Sequence, residues 1–160
     1  MRHPRWRILV PVAILITILA PALRSLPSGL AIPDPWLLFA LMALPLFHGD
    51  RIGYGVRFVA LLGILRASVS AASVFSCWAG LGAALIVRER VHRRFTDEHF
   101  MLRFGIGLLS SLPPTLLDAL DAQRLGLQIP WISFAWRILW VGLIWATLKR
   151  PGPSHLRRPV

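Results

Sequence analysis

Apolar positions in this chain come in long runs separated by short polar intervals, not in alternation with polar ones. The longest run, Ile52–Val87, is too long for one crossing, because a bilayer core takes about 20 helical residues. It must fold back once, and the small polar interval from Arg66 to Ser73 is the place for the turn. It stops at Arg88–Phe95, the densest charge cluster in the chain. The pattern predicts an apolar hairpin, helices three and four at about Ile52–Leu65 and Val69–Val87, returning to the cytoplasm.

Ahead of the hairpin, the basic residues Arg2, Arg5 and Arg7 and an interfacial Trp6 precede the run Ile8–Leu23. Small residues around Ala20–Ala22 would suit a cleaved signal peptide. A retained first helix is preferred, since the rest of the chain is equally apolar. A loop over Arg24–Asp34 leads to the run Pro35–Phe47, where proline suits a first helical turn. That run is short for a span. After the basic loop Arg88–His99 come a fifth helix, about Phe100–Leu117, a polar loop over Asp118–Gln128, and a sixth helix, about Pro130–Leu148. The division is a membrane helical domain over 1–148 and a basic cytoplasmic tail over 149–160, expected to be disordered. The fold class is all-α, a polytopic membrane bundle of about six transmembrane helices.

Composition agrees with the pattern. Only 16% of residues are charged, against about 25% in soluble domains. The formal charge of +11 could suggest nucleic acid, but the basic residues sit at the ends of apolar runs. Thirteen of the 18 basic residues fall on one side of a six-crossing map and three on the other. The positive-inside rule then places both termini in the cytoplasm, in a multi-pass protein of the bacterial inner membrane. The expected contacts are membrane lipids and protein partners, with no nucleic acid. The single cysteine, Cys77, cannot form an internal disulfide and reads as a small apolar filler.

Three features could carry function. Ser68, Ala72, Ser76, Gly80 and Ala84 place a small residue at every fourth position of the fourth helix. In lipid, such stripes let helix backbones approach closely. The stripe reads as packing within the bundle or as a face for a partner helix or a homodimer, with Gly107 and Ser111 as an internal mate. Arg137 lies inside the sixth helix, and an intramembrane charge marks a site with a partner. Its expected partners are Asp118 and Asp121, at the same outer depth; snorkelling is the other reading. The basic loop with Arg88, Arg90, Arg93 and Arg94 should face anionic lipid and cytoplasmic partners. No catalytic motif, metal-ligand spacing or phosphate-binding glycine loop occurs, so no enzyme activity, cofactor or metal is expected.

The segment Pro33–Leu38, the glycines Gly53, Gly55 and Gly63 leading to Arg66, Ser68 and Ser70 beyond, and the loop ending in Arg93, Arg94 and Phe95 resemble the MreD family. These are small inner-membrane proteins of the bacterial rod-shape machinery. Arg66 stands where the family has an aspartate, and the following glycine is absent, so no role of that acid carries over. The resemblance implies a non-enzymatic scaffold of cell-wall elongation that binds the single-span protein MreC and helps position cell-wall (peptidoglycan) synthases. It also implies a fold similar to the substrate-binding subunits of energy-coupling-factor transporters. A six-helix subunit binding a vitamin-type small molecule is therefore the alternative.

Overall fold

The computed structural model describes residues 6–24, 32–43, 52–94, 99–128 and 131–148. The tail 149–160, the turn at His48–Arg51, the stretch Leu44–Phe47 and most of the first interhelical loop lie outside the described residues. The described chain is all-helical: α1 (Trp6–Arg24), α2 (Pro35–Ala43), α3 (Ile52–Ser68), α4 (Val74–Arg94), α5 (Phe100–Arg124) and α6 (Trp131–Leu148). Neighbours in sequence are neighbours in space. α4–α5 is the most extensive pairing, followed by α5–α6 and α3–α4, while α1 and α2 close the other side.

α5 and α6 are long and apolar enough to cross a membrane, and α1 is a shorter apolar helix. Only 33% of the residues in each spanning window are buried. That separates them from the core helices of a soluble protein, which are mostly covered. The large apolar side chains left outside, such as Ile18, Phe75, Met101, Leu116, Ile132 and Trp136, occur on every helix except the short α2, where Met42 alone is exposed. Buried positions meanwhile hold Asp34, Arg66, Arg88, Glu89 and Asp121.

Helix ends explain where the expected boundaries moved. α3 continues through Arg66 to Ser68, and α4 begins only at Val74, not at Val69. The reason is a cap at Ser73: its hydroxyl oxygen accepts from the Ser76 amide at 3.1 Å, and its carbonyl accepts from Cys77 N at 3.0 Å. Serine at this position satisfies amides that the first turn leaves open. At the other end α4 runs on to Arg94, so Arg88 and Arg90 lie on a helix and not in a loop. α5 likewise runs past Leu117 to Arg124. It stops at Gly126, whose φ of 71° lies in the left-handed region. The Gly126 amide bonds Gln123 O and the Leu127 amide bonds Ala122 O, both at 3.0 Å. This is the paired closure that a C-terminal glycine makes possible. The segment expected as a loop, Asp118–Gln128, is therefore mostly helix.

α2 is buried against its neighbours. Trp36, Leu37, Ala40 and Leu41 are all 0–1% exposed, as expected for a helix that is apolar all round. Its nine residues rise about 14 Å, under half of a ~30 Å hydrocarbon core, so the described part of this run does not span. The Trp36 indole N–H donates to Thr17 Oγ1 on α1 at 3.1 Å. Phe58 of α3 meets the rings of Trp6 and Phe39 edge-on, at 5.9 and 5.5 Å.

Candidate functional site

At the end of the bundle where α2 starts and α3 ends, four charged side chains meet, three from helices and one from the residue ahead of α2. Asp34 immediately precedes α2. Its Oδ1 accepts from the amides of Trp36 and Leu37 at 3.0 and 3.2 Å, so it caps that helix. Its Oδ2 accepts from Arg66 Nε on α3 at 2.8 Å and from Arg137 Nη2 on α6 at 2.8 Å. Asp118 on α5 completes the set. Both of its oxygens accept from Arg66 Nη2, at 2.8 and 2.7 Å, and Oδ2 also accepts from Arg137 Nη1 at 2.9 Å.

The four groups form a closed ring of alternating sign: Asp34, Arg66, Asp118, Arg137 and back to Asp34. Its formal charge is zero. Side-chain exposure is 1% for Asp34 and Arg66, 16% for Asp118 and 11% for Arg137. Arginine suits this role because its planar fork can bond two carboxylates at once. Charges taken out of water need such saturation, since an ion left alone in an apolar interior is penalised heavily. Arg66 Nη1 also lies 3.5 Å from Cys77 Sγ, so the thiol expected as apolar filler touches the ring. Chemically, the ring ties α2, α3, α5 and α6 together and leaves each of its carboxylates shared by two guanidinium groups.

The expected pair Arg137 and Asp118 is brought together. Asp121 is not Arg137's partner. It lies one turn further along α5, 3.7 Å from Arg124 Nη1 and 3.4 Å from the Ser73 amide. Arg137's second acid is Asp34. The ring members missed in the sequence are Asp34 and Arg66. Each carried a usable signal: Asp34 is an acid immediately before Pro35 and an apolar run, the place of an N-cap. Arg66 is the one charge between Arg57 and the Arg88 cluster, and the rule applied to Arg137 held for it equally.

The five-residue stripe does not form one helix face. Ser68 is exposed at the end of α3, bonding Leu65 O at 2.8 Å, and Ala72 sits in the turn. Ser76, Gly80 and Ala84 do lie on α4. A Cβ at Gly80 would stand 2.9 Å from Pro114 Cα, so this is where α4 meets α5. Gly107 is not the stripe's mate. Its added Cβ would stand 2.8 Å from Gly142 Cα, on α6. In the basic segment, Arg88 is 2% exposed and donates to the Leu41 carbonyl near the end of α2, with Glu89 buried beside it. It does not face lipid headgroups. Arg90 is exposed, and the side chains of Arg93 and Arg94 lie outside the described residues.

A cavity of about 180 Å³ adjoins the ring, lined by Asp34, Asp118, Asp121, Arg137, Phe134 and the turn Ser70–Ala72, among others. No set of three or more histidine, cysteine, aspartate or glutamate side chains that could hold a metal occurs among the described residues. No family model, curated protein or solved structure matches the chain.

Proposed function

We propose that this chain is a multi-pass bacterial inner-membrane protein of about six helices that works without catalysis, as a scaffold of the cell-wall elongation and rod-shape machinery. It acts through helix contacts with a single-span MreC-like protein and, through it, with cell-wall synthases. One observation carries the membrane part of this reading: apolar side chains cover the outside while the charges close into a ring within. That polarity is the one expected of a bundle solvated by lipid. The cell-wall part rests on the resemblance of Pro33–Leu38, Gly53–Arg66 and Arg93–Phe95 to the MreD family. A ring whose carboxylates each hold two guanidinium groups offers no free general base, which favours a structural role.

The test is recovery of partners from native membranes in mild detergent with the full chain tagged, combined with imaging of new wall material. Recovery of a single-span protein, and loss of side-wall peptidoglycan insertion on depletion of the chain, are the expected results. An unchanged insertion pattern would sink the proposal. A Gly80→Leu variant does not serve here. Gly80 packs on Pro114 of the same chain, so that change would disturb folding before it reached any partner.

The transporter-subunit reading draws support from the cavity beside the loop preceding α2 and the turn Ser70–Ala72. Size favours the scaffold reading over it. Sites for vitamin-sized ligands occupy about 300–1,000 Å³, well above the 180 Å³ present.

A further inference from the structure

The cavity beside the ring has a charge imbalance that the ring does not remove. Its charged lining residues, among those described, are Asp34, Asp118, Asp121 and Arg137. Asp34 and Asp118 are balanced by Arg66 and Arg137. Asp121 is left over. Its side chain is 12% exposed, and Arg124, its nearest cation at 3.7 Å, is 78% exposed. An exposed partner is screened by solvent and holds such an acid weakly. The Ser73 amide, at 3.4 Å, is at the long limit for a hydrogen bond. A carboxylate of a strongly basic chain therefore faces a half-open cavity with little to balance it.

Volume and chemistry narrow what would fill that space. A cavity of about 150 Å³ holds one benzene ring, so 180 Å³ admits one compact group. A calcium ion is a poor fit, because it takes about six to eight oxygens, and Asp34 and Asp118 already commit theirs to arginine. We propose that the cavity binds a single small organic cation, an ammonium or guanidinium group, with Asp121 as its counter-ion. The group would come from a free amine or from the ethanolamine headgroup of a lipid. This stands on the cavity alone and does not depend on the partner proposed above.

The experiment is thermal unfolding of the full chain in detergent with millimolar ethylammonium or methylguanidinium chloride. Sodium and tetramethylammonium chloride at equal ionic strength are the controls. Saturable stabilisation is expected, with half-saturation at least tenfold lower than for sodium. Asp121→Asn should abolish it. Ala72→Leu, which keeps the charge but narrows the cavity at a turn position, should weaken it severalfold. Repetition in lipid nanodiscs identifies the source. If phosphatidylethanolamine discs already stabilise the chain and suppress the shift, the headgroup is the ligand. An equal shift in phosphatidylethanolamine and phosphatidylcholine discs makes it a free amine. A response no stronger than to sodium, or one retained in Asp121→Asn, would overturn the proposal.

Discussion

Arg66 bonds one acid 32 residues before it and another 52 residues after it, and does so with almost no access to water. Removing it would leave Asp34 and Asp118 with Arg137 alone between them. An Arg66→Met variant should lose about 3–5 kcal/mol, the usual loss when one member of a buried ion pair is deleted. Chemical unfolding in detergent would measure this, and a loss below about 1 kcal/mol, the level of an exposed pair, would refute it. Asp34 has two roles that substitution can separate. Asp34→Ser keeps an N-cap but breaks the ring, so its loss of stability should exceed the ~1 kcal/mol that a lost cap accounts for. At this scale the sequence was half legible. Arg137 with Asp118 could be found because depth along two helices matched an acid to a base. Asp34 and Arg66 could not be matched that way, since one was assigned to a loop and the other to a turn, where charge needs no partner.

Helices meet at glycines, and the glycines are not equivalent. A Cβ on Gly63 would stand 2.0 Å from the Trp78 ring, whose indole N–H donates to Ala60 O at 2.9 Å. Gly82, on α4, has open space around its missing Cβ. Gly63→Ala should therefore destabilise by about 1–3 kcal/mol, as overpacking does, whereas Gly82→Ala should be neutral or gain up to about 1 kcal/mol of helix propensity. Melting temperatures of the two variants, measured side by side, would check the contrast; equal values would refute it. Among the described residues, the six apolar runs form six helices in the order expected, because each run is bounded by polar residues. The ends were less legible. Ser73 as a cap and Gly126 as a stop were in the sequence, but charged residues at 88–94 and 118–124 were read as loop, when partners in neighbouring helices could absorb them. The stripe failed for a related reason: spacing of four residues counts only if the helix continues, and Ser73 interrupts it.

For the whole molecule, the described surface is apolar around the outside of the helices and the charges lie at two ends: the ring near the start of α2, and Arg88 with Glu89 near its finish. The six-crossing proposal with both termini in the cytoplasm assigns these ends to opposite faces of the membrane. In a Cys77→Ala background, a cysteine at Gln128 should react with an impermeant maleimide in intact cells. One at Arg90 should react only after permeabilisation. The reverse pattern would invert the topology, and labelling of both in intact cells would refute the crossing count.

The ring also sets a timetable for biogenesis. Asp34 and Arg137 are 103 residues apart, and ribosomes add about 5–20 residues per second. The acid ahead of α2 thus waits roughly 5–20 s before its last counter-charge has been made. During that time, each ring residue deep in lipid would be penalised by about 2.5–3.5 kcal/mol. The early segments would then stay near the insertion machinery, or near the membrane surface, until α6 emerges. A nascent chain halted before Trp131 should remain extractable by alkaline carbonate, and one halted beyond Leu148 should not.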